Sequence, residues 1–120
     1  MPAFFLLRMN DHLQYLKKIK AMLDGVGDFR GSDHHSCKFG RWIDGAGPQE
    51  VAIFGPAAVS VFDSILIPHE QFHVASGRAL TFQTAGRAAD TEREVTEMHL
   101  LSRRLVEKLL ELDGIAAGKM

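Results

Sequence analysis

The chain has 120 residues, 46% of them hydrophobic and 24% charged, which suits one soluble globular core. A formal net charge of −1 removes any electrostatic case for nucleic acid or an anionic membrane surface as partner. A single cysteine cannot close an intrachain disulfide, so it is left for metal ligation or redox chemistry in a reducing compartment.

The opening run MPAFFLLRMNDH has no basic stretch ahead of its apolar residues and no small-residue cleavage site behind them. No segment approaches the ~20 apolar residues that span a bilayer. The expectation is a cytoplasmic protein, or a cytoplasmic piece of a larger one, with residues 1–120 forming one domain.

From about Ala3 to Asp24, residues Phe5, Met9, His12, Leu16, Ile19 and Leu23 recur at steps of four and three, the seam of an amphipathic helix stopped by Gly25 and Gly27. His12 falls on that seam and therefore faces the core. A turn-rich loop, GVGDFRGSDHHS, follows, and Ser36 is placed to cap a short helix carrying CKFGRWID. GAGPQE breaks the chain before another short helical stretch that ends at Gly55. Pro56 suits a helix start, and the pattern then continues as one long helix through AAVSVFDSILIPHEQFHVASGRALTFQ. Phe62, Ile65, His69, Phe72, Ser76 and Leu80 share its face with His73 beside them, and Pro68 should kink it. After the GRAAD connection, Thr91 and Glu94 suggest a capping box. Val95, Met98, Ser102, Leu105, Leu109 and Leu112 line the last helix, with Gly114 as its stop. No stretch shows strand alternation. The fold class expected is all-α: an antiparallel four-helix-bundle-like domain with short helices around the cysteine segment.

Four residues carry the chemistry: His12, Cys37, His69 and His73. A lone seam histidine is most often a hydrogen-bonded core residue, and a lone cysteine a small buried hydrophobe. The pair in PHEQFH is more pointed, because imidazoles four apart leave a helix on the same face. Burying three imidazoles and a thiol in one small core is costly unless something satisfies them together. Zn²⁺ does so, and three His with one Cys make a closed tetrahedral set with no position open for a catalytic water.

Two other metal chemistries compete. HEQFH matches the H-E-x-x-H of zinc hydrolases, with Glu70 as general base, but the extended pattern would want Gly and His where Ser76 and Ala79 stand. A hemerythrin-like di-iron site needs more histidines and inward carboxylates than the chain offers at bundle spacing. His34, His35 and His99 are expected at the surface, as is Glu70.

His12 with Tyr15, then Cys37, Phe39, Gly40 and Trp42, then His69 and His73, resembles the chemoreceptor zinc-binding domain family. That family has an early helical His followed by an aromatic residue, a C-x-(aliphatic)-G-x-(aromatic) run and an H-x-x-x-H pair. Phe39 stands where an aliphatic residue is usual and Tyr15 where Trp is common, and both changes leave the ligands intact. The resemblance implies Zn²⁺ bound by His12, Cys37, His69 and His73 in a sensory, non-enzymatic domain responding to zinc or to an oxidant. It also implies a homodimer, for which Phe4, Leu7, Leu13, Leu100 and Val106 lie off the seams. Family members are typically joined to a chemoreceptor signalling region or a diguanylate cyclase. The 120 residues hold neither, which leads us to expect an excised domain or a stand-alone member. Gly40 is expected to permit a close approach to its backbone. Trp42 would shield the site or anchor the core, and Asp11, Asp33 and Asp63 would serve as unranked partners of the ligands.

Overall fold

The computed structural model describes residues 5–118. Its elements are helices: α1 (Leu6–Leu23), α2 (Lys38–Asp44), α3 (Gly47–Ala52), α4 (Pro56–Thr84) and α5 (Ala88–Gly118). The expected all-α bundle is what forms. Ala3 and Phe4, which the sequence reading placed in the first helix and at a dimer contact, lie outside the described residues.

The frame is the hairpin of α4 and α5, whose 29 and 31 residues account for a long axis of 51 Å at the helical rise of about 1.5 Å per residue. Their turn is set by Gly86, at φ +73°. Its N–H donates to the Gln83 carbonyl and that of Arg87 to Phe82, the paired bonds of a Schellman cap. α1 ends the same way, with Gly25 at φ +76° donating to Met22 and Val26 to Ala21. Gly25 alone is therefore its stop, and Gly27 takes no part in the cap.

α1 runs antiparallel to α5 and parallel to α4. The Phe5 N–H donates to Asp113 Oδ1 (2.8 Å) near the end of α5, and Gln83 near the end of α4 donates to the Leu23 carbonyl. α2 packs on α1 and α3 on α4, so the short pair bridges the two. One end of the core is aromatic, with Phe5, Phe39, Trp42 and Phe62 in edge and stacked contacts. Toward the other end, where Gln83 meets Leu23, the core is aliphatic, with Ile19 and Ala79 buried. The site lies between them.

The expected seams face the core, but Met9, Leu16, Leu23, Leu80 and Val95 are only partly buried, and Tyr15 joins the buried face of α1. Leu101 and Ala116 join the α5 face, and Ala75 and Ala79 that of α4. Cys37, not Ser36, caps α2, because Asp33 Oδ1 already accepts the N–H groups of His35 and Ser36 in a turn one residue upstream. Thr91 caps nothing. The Schellman turn feeds α5 directly from Ala88, and the Thr91 hydroxyl donates to the Arg87 carbonyl within the helix. α5 also passes Gly114 and continues to Gly118, since Leu112 and Ala116, both buried and four apart, keep the last turn packed. Helix α4 runs without a break through a buried Pro68.

Candidate metal centre

Cys37, His69 and His73 converge. Each is buried, and one ligand atom from each lies within 4.8 Å of the others. His69 and His73 point to one spot because they are four apart on α4. Their rings sit 4.8 Å apart between centroids at 83°. Cys37 comes from the loop side, at the N-terminus of α2, with Sγ 3.3 Å from His69 Nε2. Two donors sharing a tetrahedral zinc, with bonds of about 2.3 Å to sulfur and 2.0–2.1 Å to nitrogen, stand about 3.5 Å apart. The donor set fits a zinc ion in softness, and the Cys37–His69 pair fits it in spacing.

Gly40 makes the cysteine approach possible. A Cβ there would sit 1.8 Å from the His34 carbonyl oxygen and 3.3 Å from Cys37 Sγ, and the Gly40 N–H donates to that sulfur at 3.2 Å. The close approach expected at Gly40 is thus to its own loop, which folds the cysteine back over α2. Burial pushes the Cys37 thiol up, while the N–H groups of Gly40 and Phe39 and the charge of Arg41 pull the other way. A metal therefore has to supply the driving force for deprotonation.

The imidazoles are held neutral, the form that binds metal. Burial, reinforced by neighbouring histidines, brings His69 down to about 3 and His12 to about 4. Burial also lowers His73, against an opposing bond from its Nδ1–H to the Ser32 carbonyl at 2.7 Å. That bond leaves Nε2 as the bare nitrogen of His73. Ser32 is itself gripped by Tyr15, whose hydroxyl accepts from the Ser32 N–H (2.8 Å) and donates to its carbonyl (3.0 Å). Tyr15, His73 and Ser32 thus form one assembly, with the two rings 4.5 Å apart.

His12 faces the core as its seam position requires, and is 2% exposed. It stands beside the converging trio and outside it, packed edge-on against Phe72 at 4.7 Å, with Nε2 2.8 Å from Ser102 Oγ on α5. Of the four residues singled out in the sequence, three are brought together and the fourth lies behind them.

The surroundings sort the remaining expectations. Phe39, not Trp42, covers the site, its ring 4.9 Å from that of His69. Trp42 stacks behind Phe39 and donates Nε1–H to Glu50, which makes it a core anchor. Asp11, Asp33 and Asp63 touch none of the four. Asp11 pairs with Arg8, Asp33 closes the turn before Cys37, and Asp63 is exposed. The polar partners are Ser32 and Ser102, which carry no motif. His35, His99 and Glu70 are at the surface, with His35 bound to Asp44 at 2.7 Å. His34 is a correction: it is half-buried, its ring edge-on to His69 at 6.0 Å. The group that forms among the described residues contains no carboxylate, which is the wrong donor set for a di-iron centre.

Two cavities reach the site. One of about 250 Å³ is lined by Cys37 and Tyr15 together with Lys18, Lys38, Arg41 and Asp11. The other, about 460 Å³, is apolar and bounded by His69, Phe62 and Leu66. None of the helices is long and apolar enough to cross a membrane among the described residues.

Compared with known proteins, residues 12–80 match the family model described as the chemoreceptor zinc-binding domain. No curated protein and no solved structure matches the chain. The matched span begins at His12, contains Cys37, His69 and His73, and stops before α5.

Proposed function

The chain belongs to the chemoreceptor zinc-binding domain family, and on that premise we propose that it is a non-catalytic regulatory domain of bacterial signalling, of the chemotaxis or cyclic-di-GMP type, whose Zn²⁺ is held by His12, Cys37, His69 and His73. The observation that carries this reading is the buried convergence of one thiol and two imidazoles from separate segments. Bound zinc would supply a structural cross-link between the Cys37 segment and α4, coupling its occupancy to the stability of the bundle.

Cys37 is the residue through which the state of the site changes. Its segment is short and preceded by a long loop, so it loosens first when the metal is lost. An oxidant such as hypochlorous acid gives the same result by chemistry. The thiolate sulfur takes the oxygen, chloride leaves, and the sulfenic acid formed is a poorer ligand. The cavity beside Cys37, with Lys18, Lys38 and Arg41 on its wall, supports access by a small oxidant. A second cysteine is absent from the sequence, so the oxidised product is not an intrachain disulfide. The domain would act in the cytoplasm as a homodimer joined to, or working with, a chemoreceptor signalling region or a diguanylate cyclase. Leu7, Leu13 and Leu100, which are 60%, 40% and 56% exposed, are available for the dimer contact, which light scattering after size exclusion tests directly.

The deciding experiment is elemental analysis and X-ray absorption on protein purified without added metal. About one zinc per chain with three nitrogens and one sulfur is expected. Iron, or zinc with oxygen in place of sulfur, overturns the reading. Cys37→Ala should weaken zinc binding and abolish any oxidant response. Unchanged affinity in that variant would remove Cys37 from the ligand set.

A further inference from the structure

The converging trio is reached from two sides, and the two sides carry opposite charge. The cavity of about 250 Å³ ends on Cys37 and has Lys18, Lys38 and Arg41 on its wall, against the single carboxylate of Asp11, which Arg8 already pairs. The cavity of about 460 Å³ ends on His69 and has Asp44, Asp63 and Glu70 on its wall, with no lysine or arginine. These three carboxylates are exposed and stand toward its mouth, whereas His69 at its floor is 2% exposed. A divalent cation is repelled on the first route and drawn in on the second. A cleft lined by one sign of charge raises the association rate of the opposite ion by about 10- to 1,000-fold.

His34 stands on the acidic route. It is half-buried and lines the same cavity, and its ring is edge-on to that of His69 with centroids 6.0 Å apart, against 4.8 Å for His69 and His73. Its neighbour His35 is taken by Asp44 at 2.7 Å, but neither ring nitrogen of His34 is in a hydrogen bond among the described residues. Its carbonyl is held against Gly40, where no Cβ would fit, so the ring is the part that can swing. An ion that must shed water to reach a buried imidazole passes more easily where a second imidazole replaces a water on the way.

We propose that the cavity ending on His69 is the passage by which zinc enters and leaves, with His34 as a transient ligand that takes the ion near the acidic mouth and passes it to His69. This rests on the zinc reading above and adds to it a route and a residue outside the resident ligands. It also gives a use to Glu70, which is beside His69 in sequence and absent from the converging donors: its charge draws the ion in. A residue that acts only on the passage lowers the barrier equally in both directions. Its loss slows uptake and release together and leaves their ratio, Kd, unchanged, whereas loss of a resident ligand changes Kd.

The test uses the whole chain in stopped flow. Zinc is delivered to the metal-free protein beside a fluorescent zinc indicator, then withdrawn from the loaded protein by chelator at concentrations where the rate no longer depends on it. His34→Ala should slow both processes by about 10-fold and keep Kd within about two-fold. Glu70→Gln should slow uptake by a few-fold and flatten its dependence on salt. Lys18→Gln, on the wall of the other cavity, should leave uptake no slower than in wild type. Wild-type rates in His34→Ala overturn the transfer role, and so does a raised Kd with unchanged uptake, which would make His34 a resident ligand. Uptake indifferent to Glu70→Gln, or slowed by Lys18→Gln, overturns the choice of passage. A wild-type chain that takes up no zinc refutes instead the reading on which the proposal stands.

Discussion

Acidification should destabilise the metal-free protein from about pH 6.5 downward, because its core holds imidazoles neutral at pH values where the unfolded chain protonates them. His12 titrates near 4 and His69 near 3 in the folded chain, against 6.5 for an unperturbed histidine. The unfolded chain therefore binds more protons below pH 6.5. The associated stability is present in full above that value and drains away as pH falls toward the folded pKa values. At pH 5 each of the two imidazoles costs about 2 kcal/mol, and together about 4 kcal/mol, a large share of the 5–15 kcal/mol typical of a domain. His73, lowered by burial, acts in the same direction. Urea unfolding followed by circular dichroism at pH 7, 6 and 5 should show the midpoint falling by about 2 M for an m-value near 2 kcal/mol/M. His12→Gln, which removes one titrating ring, should reduce the slope of stability against pH by about 1.4 kcal/mol per unit below pH 6. With zinc present the transition should move to lower pH, because the imidazoles are then held neutral by ligation as well as by burial. A midpoint unchanged between pH 7 and 5 in the metal-free protein would refute the argument that these rings are kept neutral by the core.

Gly40→Ala places a Cβ 1.8 Å from the His34 carbonyl oxygen, a backbone clash that no rotamer relieves, and should cost on the order of 3 kcal/mol in thermal or urea unfolding. It should weaken zinc binding as well, since the Cys37 loop must move to admit it; a variant with wild-type stability and affinity would show that the loop does not sit against Gly40. Tyr15→Phe removes the hydroxyl that both accepts from and donates to the Ser32 backbone, a loss of about 1–2 kcal/mol. Hydrogen exchange should quicken at the Ser32 amide while α5 stays protected, and unchanged exchange there would count against the Tyr15 clamp.

Much of the site was legible because two of its signals are local. The four-residue spacing of His69 and His73 fixes a shared helix face whatever the fold, and His12 sits on an apolar seam that has only one place to go. The surroundings were misjudged where sequence proximity to a ligand was a poor guide. Trp42 was expected as a possible shield, yet Phe39 covers His69, because stacking places Trp42 one ring further out. The acidic residues looked like natural partners for the imidazoles, yet none of Asp11, Asp33 and Asp63 hydrogen-bonds to one of the three, and Asp33 acts on His73 only through its charge. One partner is the backbone carbonyl of Ser32, which no residue pattern announces. The other is Ser102, a small polar residue on a seam that the pattern alone treats as filler. Helix ends erred for a related reason: Ser36, Thr91 and Gly114 have the right chemistry for caps, but a turn upstream, a Schellman bond and the packing of Ala116 decide where the helices run.

The sequence by itself determined the helical class, the faces that bury and the set of residues from which a metal centre can be built, since each follows from spacing along one element and from the cost of burying polar groups unaided. Tertiary structure decided which of those residues meet. It also left Nε2 of His73 free and tied His12 to α5, because these depend on backbone carbonyls, hydroxyls and loop closures contributed by segments far apart in the chain.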